Sequence, residues 1–367
     1  MPPELQRHPD DPRGEGKPLA SGAIAGLLSA LFFGAGVPIT KRLLPEFPPL
    51  LLAGLLYLGG GLAVTAGRWI GGTRIQEAPL ARSDLPRLLA IVVLGGVVGP
   101  LALVNGLRSI SGVSGALLLN LEGPLTVLVA LTFFGEHLGL REVLAAVLVF
   151  SGAILLGGPG GDRDGTVPTG ALLVALACAA WAVDNNLTQG LASKDPWRVV
   201  MIKTLGAGGC MVLLAVVQGV ARPSAGILAS ALALGGLSYG VSVLLDAFAL
   251  RLLGAAREAA FFATAPFVGA LLSVPLLGER FGAWQALAGL LMAGGVVLLL
   301  RERHGHQHTH QALEHSHRHV HDAHHQHAHP AGLDPSEPHA HQHRHAPLTH
   351  THAHVSDAHH RHSHRGH

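Results

Sequence analysis

Charge and cysteine are both scarce in this chain. Asp, Glu, Lys and Arg make up 13% of its 367 residues and the formal net charge is +2. So small an excess, scattered among loops rather than gathered on a face, excludes a nucleic-acid partner. The two cysteines, Cys178 and Cys210, both lie in apolar segments, so a disulfide framework is excluded and each reads as a buried thiol. No Ser-His-Asp constellation, phosphate loop or fixed metal-ligand set stands in the apolar region, which argues against an enzyme. The first eighteen residues are polar, charged and proline-bearing. That is unlike a cleavable signal peptide, and the first apolar run is expected to remain as a membrane helix.

What is present is apolar sequence in long runs. Hydrophobic residues make up 49% of the chain, and between Leu19 and Leu300 runs of roughly twenty residues follow one another with short polar breaks, each long enough to cross about 30 Å of hydrocarbon. Soluble helices carry a polar face and these runs do not. They predict ten membrane helices, at about Leu19 to Ile39, Pro49 to Ala66, Leu85 to Leu107, Val113 to Phe134, Leu140 to Gly157, Thr169 to Gly190, Trp197 to Gly219, Ala225 to Leu250, Ala255 to Leu277 and Gly282 to Leu300.

The region is also duplicated. Residues Leu107 to Leu156 reappear at an offset of 143 as Leu250 to Leu299: Gly135-Glu136, Gly139, Leu144 and Gly152 match Gly278-Glu279, Gly282, Leu287 and Gly295, while Pro124 and Pro266 slip by one residue. Related bundles that rock about a site at their interface are the architecture of a secondary transporter. Five crossings per half is odd, so the second half must lie upside down relative to the first. Alternate loops carry thirteen Lys and Arg on one side before the tail, Lys203 counted among them, and six on the other, which places both termini in the cytoplasm.

The expected fold class is an all-α membrane protein, with ten transmembrane helices as two inverted five-helix repeats and a disordered cytoplasmic His-rich tail. Residues 1–18 form the cytoplasmic N-terminal segment, 19–157 the first repeat, 158–168 the connecting loop, 169–301 the second repeat and 302–367 the tail. Each half has a proline-containing helix leading into Gly-Glu and then an apolar last helix. In this the chain resembles the EamA-type members of the drug/metabolite transporter superfamily, over roughly Gly22 to Leu300. The resemblance implies an inner-membrane carrier that exports or exchanges a small solute, uses an ion gradient and needs no cofactor in its core. Its partners are the lipid bilayer and the solute, and a homodimer is compatible with it.

Ionisable groups at membrane depth cost several kcal/mol unless they face a cavity or a partner, so each is a candidate site residue. Glu122 lies near the middle of the fourth helix, two residues before Pro124, where the proline frees a backbone carbonyl one turn earlier. A carboxyl group there is suited to carry a proton through a transport cycle. Asn120 and Pro124 share a helix face with each other, and Glu122 points elsewhere. Asp184, Asn185 and Asn186 in the sixth helix, Asp246 in the eighth, and Arg257 and Glu258 opening the ninth all lie within roughly 10 Å of the cytoplasmic surface. They suggest a charge-paired gate or a polar vestibule around the substrate. Glu136 and Glu279 read instead as structural acids, accepting backbone hydrogen bonds near the start of the next helix. The glycine clusters, Gly59-Gly60-Gly61 and Gly95-Gly96 among them, read as close helix packing.

Of the 26 histidines, 24 lie between His304 and His367, and this tail is itself duplicated at an offset of 35. His315, His317, His319, His321, His324, His325, His327 and His329 in one copy, with His350, His352, His354, His359, His360, His362 and His364 in the other, are the candidate metal ligands. Neutral imidazoles bind Zn, Ni, Co and Cu, and His-X-His repeats offer overlapping ligand sets. The composition forbids a packed core, so disorder is expected until metal gathers the chain. The helices are poor in His and Met, so no soft-metal conduit is written there. The sequence thus supports a carrier, for efflux or exchange, of a small metabolite or a divalent transition metal, with a metal-binding tail. The alternative is a membrane-anchored metal buffer or sensor whose transporter-like core no longer transports.

Overall fold

The computed structural model describes residues 16–71, 80–134, 140–158, 167–191, 194–221, 223–253 and 255–300, with the backbone of 304–310, 313–319, 339–345 and 348–354 in the tail. Among the described residues ten helices are long and apolar enough to cross a membrane: α1 (Ala20–Glu46), α2 (Pro49–Ile70), α3 (Arg82–Gly106), α4 (Gly112–Thr132), α5 (Leu140–Gly157), α6 (Pro168–Gln189), α7 (Pro196–Val217), α8 (Ala225–Leu250), α9 (Arg257–Leu277) and α10 (Ala283–Leu300). Each falls on one of the ten apolar runs. Their starts follow from local chemistry. Ser111 and Ser224 accept the N–H groups of Ser114 and Ile227, and Asp195 accepts those of Trp197 and Arg198 with Pro196 in the first turn, satisfying donors that have no partner inside a helix.

Packing follows the duplication. Helix α2 lies on α7, α4 on α9 and α5 on α10; α1 packs on α8 and α9, as α6 packs on α3 and α4; and α2 on α8 is matched by α7 on α3. Exchanging every helix with the one five places along leaves this pattern unchanged, so a pseudo-two-fold axis relates the halves. With five crossings in each half, that axis lies in the membrane plane. One apolar core gathers residues of α3 to α6 with α9 and α10, among them Leu107, Val113, Leu117 and Met292. A second joins α2, α7 and α8 through Leu52, Leu56, Met211 and Leu234. Helix α2 is the most enclosed and α10 the least, with Leu287, Leu290 and Val297 of α10 exposed on a side suited to lipid. Gly59 shows what the glycine clusters do: a β-carbon there would overlap the Leu232 carbonyl, so α2 and α8 meet backbone to backbone.

Three irregularities shape the interior. Helix α3 is π-helical over Val92–Val98 and α8 over Gly236–Val241, and the offset of 143 carries Val93–Val98 onto Gly236–Val241. A π stretch interrupts the usual ladder and leaves carbonyls for side chains to use. Helix α4 tightens to a 3₁₀ turn at Leu119–Leu121 just ahead of Pro124, whose missing N–H leaves the Asn120 carbonyl without its usual donor.

Two readings of single residues change. Lys203, counted among the loop cations, sits inside α7 and is only partly exposed; removing it leaves the direction of the loop-charge bias as it was. Cys210, read as a buried thiol, is exposed on α7, while Cys178 is buried.

In the tail, for which disorder was expected, the described segments are extended and paired. Strand β1 (His304–His310) runs antiparallel to β4 (Leu348–His354), and β2 (Leu313–His319) to β3 (His339–His345). The two-residue alternation of His-X-His matches the period of a strand. Two-stranded ladders build no core and are marginal alone. His321, His324, His325, His327, His329, His359, His360, His362 and His364, like Glu136, lie outside the described residues.

Candidate functional site

Where α6 packs on α3 and α4, and the Lys203 side chain reaches across from α7, charged groups lie inside the membrane-spanning part. Asp184 is 1% exposed and forms an ion pair with the Lys203 ammonium, which is 21% exposed. Thr188 Oγ1 lies 3.4 Å from the other Asp184 oxygen. On α4, Glu122 Oε1 accepts a hydrogen bond of 2.8 Å from Nδ2 of Asn185, the residue that follows Asp184. Glu122 is half-buried and Asn185 exposed, so this end of the cluster is reachable while Asp184 is enclosed.

The π stretch of α3 makes room for this group. A β-carbon on Gly95 would overlap the Asp184 carboxylate, so only glycine lets α3 lie against it. The Gly95 carbonyl accepts from Tyr57 Oη at 2.8 Å and from Trp181 Nε1 at 3.0 Å. These bonds use an acceptor that the π geometry leaves spare and fix two aromatic rings beside the ion pair. Tyr57 and Tyr239 have ring centroids 5.3 Å apart, which links α2 to the π stretch of α8.

The other candidates separate. Asn186 donates to the Thr126 and Ala182 carbonyls at 3.1 and 2.9 Å, tying α6 to α4. Asn120 is buried, donates to the Leu117 carbonyl at 2.8 Å and reaches Met292 Sδ at 4.0 Å; Pro124 is buried on the same helix. Asp246 lies near Glu258, and Asp246 Oδ1 is buried with no hydrogen-bond partner among the described residues. Arg257 is exposed and forms no ion pair among the described residues. The two aspartates therefore belong to different groups, Asp184 with Lys203 and Asp246 with Glu258, rather than to one gate around Arg257.

At the face where α1, α3 and α9 end, the halves are tied by charges on helix termini. Glu279 accepts the N–H groups of Gly112 and Val113 at 2.7 and 2.9 Å. It therefore caps α4 across the two-fold axis rather than its own following helix, whose start is met by Gln285 accepting from Gly282 at 2.8 Å. Lys41 donates to the Leu107 and Ile110 carbonyls at 2.8 and 2.6 Å, and Arg42 to the Leu276 carbonyl at 3.0 Å. Beside them opens a cavity of about 880 Å³ lined by Lys41, Glu46, Arg108 and Glu279. At the opposite face Arg68 pairs with Asp195 at 2.8 Å and Lys194 with Asp84 at 3.3 Å.

Lys203 is the main residue that sequence reasoning missed. Its signal was its place: it falls six residues inside a helix that the apolar pattern itself starts at Trp197. Tyr57 and Gly95 carried no separable signal, because an aromatic residue and a glycine in a membrane helix are ordinary packing residues.

Comparison with known proteins agrees with this geometry. The model of the EamA-like transporter family matches residues 20–158 and again 168–301. An uncharacterized transporter of Methanothermobacter thermautotrophicus is 27% identical over 293 residues, covering 76% of this chain and 85% of the relative. The uncharacterized inner membrane transporter YedA of Escherichia coli K12 is 24% identical over 282 residues, covering 75% and 90%. A solved crystal structure aligns with 76% of this chain and 97% of its own at TM-score 0.56 and 20% identity, a likeness of fold.

Proposed function

The chain belongs to the EamA-like transporter family and is a multi-pass membrane transporter, and from that premise we propose that it is an inner-membrane secondary carrier for a small metabolite, working by efflux or exchange. Both termini lie in the cytoplasm in this reading, on the loop-charge bias. The observation that carries it is the Asp184–Lys203 pair with Glu122–Asn185 beside it, where α6 packs on α3 and α4 and Lys203 reaches across from α7. Charges at this depth are costly and mark transport pathways by default. The symmetry-related contact of α1 and α9 holds Phe33 against Phe262 instead.

A metabolite is favoured over a transition metal as cargo. Among the described residues no three His, Cys, Asp or Glu side chains form a metal-ligand group, and the most buried carboxylate is already occupied by an ammonium group. The tail is the metal-binding part in this reading. Its ladders place histidine opposite histidine at 304/354, 306/352, 308/350, 315/343, 317/341 and 319/339, a donor set that suits Zn, Ni, Co or Cu.

The test is flux in proteoliposomes containing the full chain, across a panel of metabolites and metals. The proposal expects one class of solute whose flux is lost in Asp184→Asn and Glu122→Gln proteins that still insert and stay monodisperse. Full flux in both variants would remove this cluster as the transport site.

A further inference from the structure

Both ladders of the tail join the first copy of the 35-residue unit to the second. A shift of 35 residues turns β1 into β3 and β2 into β4. Successive residues of a strand fall on alternate faces, so every histidine of a ladder falls on one face, with Leu348 or Leu313 at its end. The shift keeps each residue of that face. On the other face it keeps only Gln307, as Gln342, while Gly305 is matched by Ala340, Thr309 by Arg344 and Glu314 by Thr349. Where the copies differ they complement each other: Glu314 stands opposite Arg344, and Thr309 opposite Thr349. Facing opposite charges and facing threonines both favour a ladder. Pairing each copy with itself would also set histidine against histidine, with His308 opposite His315 across Gln311-Ala312. Such a two-residue turn asks for positive φ, which Gly, Asn or Asp supplies. Gln311-Ala312 and Ala346-Pro347 contain none of these, and proline fixes φ negative. Turn chemistry and cross-strand pairs thus both favour the pairing between copies.

We propose that each ladder is a transition-metal site shared between the two copies, the ion held by histidines of both strands, so that metal fastens the tail in this register. The inference rests on the reading of the tail as the metal-binding part and names the ligand sets within it. Positions directly across a ladder have β-carbons about 5 Å apart, and alternate positions along a strand lie about 7 Å apart. Neighbouring pairs such as His304/His354 and His306/His352 therefore gather four histidines on one patch, the ligand number of a closed tetrahedral zinc site. The histidine face of each ladder completes one such set and leaves too few residues for a second, so about two tight ions per chain are expected. A two-stranded ladder is marginal alone, and an ion bound across it supplies the missing link, since metal binding and folding are coupled. Loading also fixes where the second copy lies: His354 faces His304, just past the end of α10 at Leu300.

The test counts zinc ions on purified full-length protein and follows the register with nitroxide labels. Changing His315, His317 and His319 of β2 to Asn should remove one of the two tight ions. Changing His339, His341 and His343 of β3 to Asn as well should remove no further tight ion, because the two strands share one. Two ions lost in the combined variant would mean that each copy binds its own, and overturns the proposal. For the register, labels go on Thr309→Cys with Thr349→Cys, or on Thr309→Cys with Glu314→Cys, in a Cys178→Ser, Cys210→Ser background. Zinc should bring positions 309 and 349 from roughly 35 Å, the span of a flexible coil of that length, to neighbouring strands about 5 Å apart, and a chelator should reverse it. Zinc that instead brings together 309 and 314, or that binds while 309 and 349 stay apart, overturns the shared site and leaves the tail as the metal-binding part. Failure of that underlying reading looks different: the full-length chain would then bind no more zinc than one truncated after Arg303.

Discussion

Glu279 Oε1 accepts a hydrogen bond of 2.7 Å from the backbone N–H of Gly112, and in doing so a residue of the second half closes the first turn of a helix in the first. With Val113 as second donor, the carboxylate meets a helix N-terminus, where negative charge is stabilised. Alternating access requires such a tie to break in one state and form in the other. Glu279→Ala is expected to weaken it by about 0.5–2 kcal/mol, the range for a lost helix cap, and to favour the state open at this face. A cysteine at Ser114, buried just below, should then react faster with an impermeant thiol reagent in a Cys210→Ser background. Unchanged labelling would show that the contact is not a latch.

Gly95→Ala tests the close approach of α3 to Asp184. The added methyl group overlaps the carboxylate, and overpacking of this kind costs about 1–3 kcal/mol. Thermal unfolding in detergent should drop and flux should fall together. Ala at Gly209, where a β-carbon meets no neighbour, serves as control.

Asp184 and Lys203 should fail as a pair. Lys203→Met or Asp184→Asn alone leaves a buried charge without its partner, a loss of about 3–5 kcal/mol. The double variant removes both charges and should recover most of the thermal stability but none of the flux. Additive losses in the double variant would mean that the two side chains do not interact.

Topology is checked by reporters. A fusion after Arg303 should be active only in its cytoplasmic form, and one in the loop at Asp162 to Asp164 only in its exported form. The opposite pattern would invert the orientation proposed from the loop charges.

Truncation after Arg303 separates tail from carrier. High-capacity zinc or nickel binding should disappear while solute flux persists with altered metal dependence. Retention of the same metal stoichiometry would place the binding elsewhere, and loss of all flux despite normal insertion would make the tail part of the carrier.

The ten helices and their duplication were legible because a bilayer demands long apolar runs, and because Gly135-Glu136 and Gly278-Glu279 mark the same joint twice. Glu122 and Asp184 stood out by their cost at depth. Their partners did not, since pairing depends on rotation about helix axes that one sequence leaves undetermined. Lys203 was taken for a loop cation because it sits near a helix start. Asp184 and Asp246 lie at similar depths in sequence, yet the packing of α6 on α3 and α4 and of α8 on α1 and α2 separates them. The π stretches had no sequence signature: Gly95-Gly96 occupies one and Ser238-Tyr239 the matching place in the other.

The two-fold packing has a consequence for how such a chain can change over generations. Were the protein a dimer of one five-helix gene, any acid acquired at the position of Glu122 would appear on both sides of the axis, and the two would share one fate under selection. Fusion of the copies releases that constraint. The residue 143 places after Glu122 is Ala265, fully buried, and Phe33 and Phe262 are fitted together at the contact that the axis relates to the charged one. The two sides of the axis have been free to diverge, one gathering charged groups from both copies and the other filling with aromatic packing.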